Sequence, residues 1–114
     1  MEPLEMILLY DYYGDLLTQR QKLCFEMHYH QDLSLGEIAQ ELSISRQAVY
    51  DNLSRTEALL KNMEEKTGCV RRDRQTRKAL QTISQLAQPL VSHSDSRIAL
   101  LAEEIVHCTH SVEE

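Results

Sequence analysis

The chain has 114 residues, of which 42% are hydrophobic and 26% charged, and it carries a formal net charge of −6 at pH 7. These values are typical of a single soluble globular domain, 1–114, and no apolar run approaches the ~20 residues that span a bilayer, so no membrane insertion is expected. The acidic N-terminus lacks the cationic region of a signal peptide, and three cysteines without paired spacing favour a reducing compartment, which predicts a cytoplasmic protein.

The first predicted helix runs from about Pro3 to Leu16, with the proline suited to a first-turn position. It is apolar nearly all round, which is more than one core-facing stripe requires. It is therefore either a central helix buried on two sides or a helix shared across a dimer interface. We favour the second interpretation, since so short a chain has few elements to cover it. This predicts a homodimer with the interface residues Leu8, Leu9, Tyr12 and Tyr13.

Two capping boxes predict the next two helices. Thr18 begins the spacing T-x-x-Q, and Ser34 begins S-x-x-E, in which the two side chains satisfy backbone donors reciprocally. The second helix frays near His30 and is expected to bury Leu23, Phe25 and Met27. The third helix, SLGEIAQEL, is expected to bury Leu35, Ile38, Ala39 and Leu42.

Three further helices follow the turn Ser43–Ile44–Ser45. The fourth begins at Arg46 after the N-cap Ser45, buries Val49, Leu53, Leu60 and Met63, and ends near Thr67 before a left-handed Gly68. The fifth covers roughly Val70 to Gln88. The sixth runs from Ser96 to about Thr109 after an Asp95 cap, with one apolar stripe of Ile98, Leu101 and Ile105.

Two short amphipathic helices capped by serine and joined by a three-residue turn indicate a helix-turn-helix. The small Ala39 lies where the two helices must approach closely, and Ile38, Leu42, Ile44 and Val49 form the expected shared core. The predicted fold is all-α, with a three- to four-helix helix-turn-helix core over 17–67 and a C-terminal two-helix extension over 69–110.

The segment from Leu17 to Leu60 is similar to region 4 of bacterial sigma factors, in which L-T-x-R-Q precedes a helix and S-R-x-x-V opens the DNA-reading helix. With LLYDYYGDLLTQRQ and L-S-L-x-E-I-A, the whole chain resembles the YlxM-type family of small bacterial proteins. The resemblance implies a regulatory role in the signal recognition particle pathway, with its GTPase or its RNA as partner. The alternative is a sequence-specific DNA-binding regulator of transcription.

The sigma-like docking mode implies which residues would meet DNA. Arg46 is suited to guanine and Gln47 to adenine, whereas Asp51 accepts from cytosine but repels phosphates. A solvated helix face accounts for the same charges, so both interpretations stay open. The implied set is Arg46, Gln47, Tyr50, Asp51 and Ser54, with Arg55 near the backbone.

A second candidate surface lies in the fifth helix. Residues 69–92 hold five basic residues against one acidic residue in an otherwise acidic chain. An ordinary amphipathic surface helix explains the pattern in part; a partner that carries phosphates, or an acidic protein, explains the charge better. Arg72 points nearer the apolar side. The basic face consists of Arg71, Arg74, Arg77 and Lys78.

No motif for catalysis is present. The sequence contains no phosphate-cradling glycine loop, no nucleophile motif and no paired catalytic carboxylates. His107, Cys108 and His110 lack a second cluster at zinc-site spacing. We therefore expect no enzyme activity, no cofactor, no metal and no small-molecule substrate.

Overall fold

The computed structural model describes residues 2–113 and shows an all-α protein, as predicted from the sequence. The six α-helices of the described residues are α1 (Pro3–Tyr13), α2 (Gln19–Tyr29), α3 (Leu35–Leu42), α4 (Arg46–Thr67), α5 (Cys69–Ala87) and α6 (Ser96–Glu113). Two short 3-10 helices, Gly14–Leu16 and Gln88–Ser92, follow α1 and α5. None of the described helices is long and apolar enough to cross a membrane.

The helix ends follow the predicted local chemistry. Both capping boxes form: Thr18 accepts from the Gln21 amide at 3.2 Å, and Ser34 accepts from the Glu37 amide at 3.1 Å. Gly68 ends α4 in the left-handed region at φ 61°. The sequence missed that α6 continues past Thr109 to Glu113.

Contacts group the chain into two compact units, and the boundary along the sequence falls between Val70 and Arg71. The first unit contains α1 to α4 and the first residues of α5, and the second contains the rest of α5 with α6. That residues 1–114 fold as a single domain stays a prediction.

The larger core of the first unit lies among α1, α2 and α4. Phe25 and Leu60 are fully buried there, with Met6, Leu9, Tyr13 and Leu17 around them. Burial of α1 against two helices explains much of its all-round apolar surface. Leu23, which the sequence placed inside, is exposed; the buried positions of α2 are Cys24 and Phe25.

A second core holds the helix-turn-helix together. Ile38 and Val49 are fully buried and pack with Cys24, Ala39 and Leu53, and the predicted Leu42 and Ile44 are half-buried at its edge. Thr56 is also fully buried. Its hydroxyl can lie in the core because it donates a hydrogen bond to the Asn52 carbonyl at 2.9 Å. This polar core residue was not predicted from the sequence.

Candidate nucleic-acid interface

The turn between α3 and α4 sets the angle of the helix-turn-helix. Ser43 adopts the left-handed conformation, φ 55° and ψ 45°, and the Ile44 amide donates back to the Ala39 carbonyl at 3.1 Å. Ser45 then caps α4 by accepting from the Ala48 amide at 3.0 Å. Together these contacts fix the orientation at which α4 leaves α3.

The N-terminal half of α4 presents one buried and one exposed face. Val49, Leu53, Thr56 and Leu60 recur at helical spacing and are buried. The opposite face is available to a partner, because all six residues predicted for the reading face are exposed: Arg46, Gln47, Tyr50, Asp51, Ser54 and Arg55.

Arg46 lies across the first turn of α3. A methyl group added at Gly36 would stand 3.0 Å from Arg46 Nε and 3.1 Å from Nη2, so the guanidinium occupies the space that a side chain would need. Gly36 therefore allows Arg46 to lie close to the α3 backbone. This role of Gly36 is not predictable from the sequence, since a lone glycine inside a helix has several explanations.

Gln47 and Asp51 form a pair one helical turn apart. Gln47 Nε2 donates to Asp51 Oδ1 at 3.0 Å. The carboxylate thus orients the amide, and the amide partly offsets the charge that Asp51 would present to phosphates. This contact therefore reduces the repulsion between Asp51 and DNA phosphates that the sequence predicts, although the negative charge of Asp51 remains.

A shallow cleft flanks the same face where α2 approaches α4. Arg55 lines it beside Thr18 and Gln21 of the α2 capping box and beside Asn52, whose Oδ1 is buried without a hydrogen-bond partner among the described residues. The structure therefore adds the start of α2 to the surface around the reading helix. Only the three-dimensional approach of α2 and α4 reveals this.

Three tyrosines form hydrogen bonds between the helices that support this surface. Tyr10 donates to Glu26 at 2.5 Å between α1 and α2, and Tyr13 donates to Glu64 at 2.6 Å between α1 and α4. Tyr29 of α2 donates to Glu57 of α4. Burial, and then the hydrogen bond to a carboxylate, raises the pKa of each of the three tyrosine hydroxyls above its ordinary value.

The predicted basic face is exposed on α5. Arg71, Arg74, Arg77 and Lys78 are all accessible, and Arg77 Nε contacts Asp73 Oδ2 at 3.0 Å. Asp73, the one acidic residue of this segment, is thereby engaged by Arg77. The four side chains together present a positively charged surface.

Other candidate groups do not assemble. No three metal-ligating side chains come together among the described residues, including His107, Cys108 and His110. Burial raises the pKa of the fully buried Cys24 thiol, which makes that sulfur unreactive.

The interface predicted on α1 requires a correction. Leu9 and Tyr13 are 4% and 5% exposed because they pack in the core of their own chain, so they are not available to a second copy. Leu8 is half-buried, and Tyr12 is exposed but touches the Tyr13 ring.

The tri-helical core, the left-handed turn and the exposed face of α4 define a helix-turn-helix protein. The chain belongs to the UPF0122 family, whose model, described as "Putative helix-turn-helix protein, YlxM / p13 like", matches residues 1–99. It is 46% identical over 101 residues to the UPF0122 protein of Thermoanaerobacter sp. strain X514, covering 88% of this chain and 86% of that protein.

Two further relatives are similar over shorter spans. The UPF0122 protein of Desulforamulus reducens is 53% identical over 73 residues, or 64% of this chain and 62% of the relative. A UPF0122 protein of Bacillus cereus strain AH187 is 46% identical over 78 residues, or 68% of this chain and 71% of the relative. The family predicted from the sequence is thus confirmed.

Proposed function

We propose that this protein is a cytoplasmic regulator without catalytic activity that binds duplex DNA through the exposed face of α4. The observation that carries the proposal is that all six residues of the reading face are exposed on a helix whose opposite side is fixed in the core. A helix held in this way has the width and rigidity to enter a major groove.

Charge determines what kind of DNA binding to expect. Residues 1–70 hold twelve acidic and six basic residues, so the unit that carries the reading helix is itself acidic. With Arg46 assigned to a base, Arg55 and Lys61 offer about two phosphate contacts, which corresponds to a log–log salt slope of roughly −2. Non-specific binding is therefore weak, and stable binding requires contacts to base edges.

Selection from a random duplex library, followed by binding measurements at several salt concentrations, tests this proposal. Arg46→Ala should weaken binding to a selected site by about 1–3 kcal/mol and relax preference at one base pair. Arg97→Ala, which removes an exposed arginine outside the α1–α4 unit, is the matched control and should leave binding unchanged. Enrichment of no sequence by the wild type would reject DNA reading.

A second candidate function rests on a different observation, the exposed basic face of α5. In this proposal the protein is an accessory factor of the signal recognition particle pathway that binds its RNA or its GTPase. Phosphates of RNA or acidic groups of a protein suit four clustered cations equally. The helix-turn-helix would then serve mainly as a scaffold.

Separate binding assays with the RNA and the GTPase distinguish these partners. A variant with Arg71, Arg74, Arg77 and Lys78 all changed to Glu should lose binding while it stays folded, because exposed charges usually shift stability by only ~0.5 kcal/mol each. RNA binding should weaken steeply with salt and disappear with nuclease, whereas GTPase binding should survive nuclease. Wild-type binding by the folded variant would remove the basic face from consideration.

We also propose that the protein acts as a homodimer. Two copies present two reading helices, which is the arrangement that helix-turn-helix proteins use on paired half-sites.

A further inference from the structure

The second unit, which begins at Arg71, leaves much of its apolar surface exposed. Its buried side chains are small: Ala87 and Ala102 are 5% and 2% exposed, and Thr109 is 5% exposed. Eight of its large aliphatic side chains stay 37% to 72% exposed. We name six of them the apolar hairpin face: Ile83, Leu86, Leu90, Ile98, Leu101 and Ile105.

Five of these residues lie on one side of the hairpin formed by α5 and α6, and Leu90 lies in the 3-10 helix that connects them. Ser84 Oγ and His110 Nε2 are 3.4 Å apart, and the short connection makes the helices antiparallel neighbours. At 100° per residue, the exposed apolar stripe of α6 lies about a quarter turn around the helix from the side that faces α5. The exposed stripe of α5 lies about a quarter turn from the side that faces α6, and both rotations have the same sense when each helix is viewed along its own direction. Because the helices run in opposite directions, equal displacements bring both stripes to the same side.

The size of this face is comparable to the largest apolar patch that a monomer ordinarily exposes, and such patches are often functional. If full burial removes ~100 Å² from each aliphatic side chain, the six together expose roughly 300 Å² of apolar surface. With a polar rim, that is a substantial part of the ~800 Å² that each partner contributes to a standard interface.

Charge points to a second copy of this chain as the occupant. Residues 71–114 hold six basic and six acidic residues, so this unit is neutral overall, whereas the entire net charge of −6 belongs to residues 1–70. Two copies that meet through the second unit therefore avoid the repulsion that would oppose contact between their first units. A two-fold interface also requires a self-complementary patch, and a face built from aliphatic side chains meets that requirement.

We propose that the protein dimerises through the apolar hairpin face, which closes two α5–α6 hairpins into a four-helix bundle, and not through α1. The proposal gives an interface to the homodimer proposed above and does not depend on nucleic-acid binding. Apolar side chains at the spacing of Ile98, Leu101 and Ile105 are those that helical bundles bury between helices.

Leu101 and its neighbour Leu100 provide a matched pair of variants. Their exposed fractions are 61% and 60%, but Leu100 lies about 100° away around α6 and outside the apolar hairpin face. Leu101→Glu would place a carboxylate in the interface, and Leu100→Glu would add the same charge outside it. Since both side chains are exposed in the single chain, neither change should unfold it.

Sedimentation equilibrium from 1 to 200 µM is the experiment. Wild type and Leu100→Glu should be dimers at 50 µM, and Leu101→Glu should raise the dimer dissociation constant at least 30-fold. Ile83→Glu, on the other helix, should do the same, and circular dichroism of each variant verifies the fold. A monomeric wild type at 200 µM would overturn the dimer itself, while folded Leu101→Glu and Ile83→Glu proteins that dimerise normally would overturn this interface alone.

Discussion

At the level of single residues, the first unit is held by polar contacts placed at the boundary of an apolar core. The Tyr10 ring stacks on Phe25 with centroids 4.4 Å apart, and Tyr29 stacks on the other side of Phe25 at the same distance. The rings therefore contribute to the core, while their hydroxyls reach Glu26 and Glu57 at its edge. Tyr10 thus joins α1 to α2 through both its ring and its hydroxyl, whereas Tyr29 stacks within α2 and joins it to α4 through its hydroxyl.

These tyrosines should make stability sensitive to alkaline pH. Their folded pKa values are raised, so their contribution to stability is complete below the ordinary tyrosine pKa of about 10 and declines as pH rises beyond it, when the unfolded chain releases protons that the folded chain retains. Urea unfolding of the wild type should therefore show a falling free energy of unfolding between pH 9.5 and 11.

The double variant Tyr10→Phe/Tyr29→Phe is the comparison. At pH 7 it should be less stable by about 1–2 kcal/mol for each lost hydrogen bond to a carboxylate. Its decline between pH 9.5 and 11 should nevertheless be shallower than that of the wild type. Parallel curves for the two proteins would contradict this account of the tyrosines.

Ser43 offers a second prediction at the residue scale. A residue with a β-carbon in the left-handed region costs roughly 1 kcal/mol, which glycine avoids. Ser43→Gly should therefore raise the free energy of unfolding by up to about 1 kcal/mol. Ser45→Ala, two residues later at φ −76°, should instead lower it by about 1 kcal/mol because the cap to Ala48 is lost. Thermal unfolding of both variants tests the pair.

At the level of elements, α4 combines two roles along its 22 residues. Its first turns expose the reading face, and its later turns supply Leu60 to the larger core and Glu64 to a junction. Glu64 Oε1 accepts from the Tyr13 hydroxyl at 2.6 Å and from the Val70 amide at 3.0 Å, so it ties α1 to the start of α5. The position of the reading face is thus coupled to the packing of α1.

The approach of α3 to α4 leads to a prediction about Gly36. Gly36→Ala would meet only the flexible end of Arg46, which can move away, and it would replace a glycine within a helix. We expect the free energy of unfolding to rise by about 0.5 kcal/mol, while Arg46 loses its place against α3 and base preference at its contact weakens. A stability loss above 1 kcal/mol in chemical denaturation would indicate that Arg46 is held rigidly.

At the level of the whole molecule, the two units differ in what they bury. The first has fully buried Phe25, Ile38, Val49 and Leu60, whereas the second buries two alanines and a threonine. Because apolar burial is the principal source of stability, the unit from Arg71 onward is the less stable of the two as a single chain.

This difference should appear in hydrogen exchange. Amides of α5 and α6 should exchange faster than those of α2 and α4 at 2 µM protein, and their protection should increase at 200 µM as the dimer forms. In Leu101→Glu the α6 amides should exchange rapidly at both concentrations. Protection in α6 that is independent of concentration in the wild type would argue against stabilisation by a second copy.

The sequence by itself determined what depends on neighbours along the chain. Capping side chains bond to amides three residues away, and Gly68 adopts a conformation that few other residues tolerate, so Thr18, Ser34, Ser45 and Gly68 marked helix ends correctly. The apolar spacing of α3 and α4 likewise predicted the helix-turn-helix and the exposure of its reading face.

Only the tertiary structure decided which apolar residues are covered and which polar residues meet. Leu9 and Ile105 are both aliphatic residues on helices, yet the first is buried and the second is 44% exposed, because α1 has two helices to pack against and α6 packs mainly against the short 3-10 helix Gln88–Ser92. Tyr13 and Glu64 lie 51 positions apart, and Arg46 reaches Gly36 across a turn. Such pairings depend on how helices cross, which local periodicity does not specify.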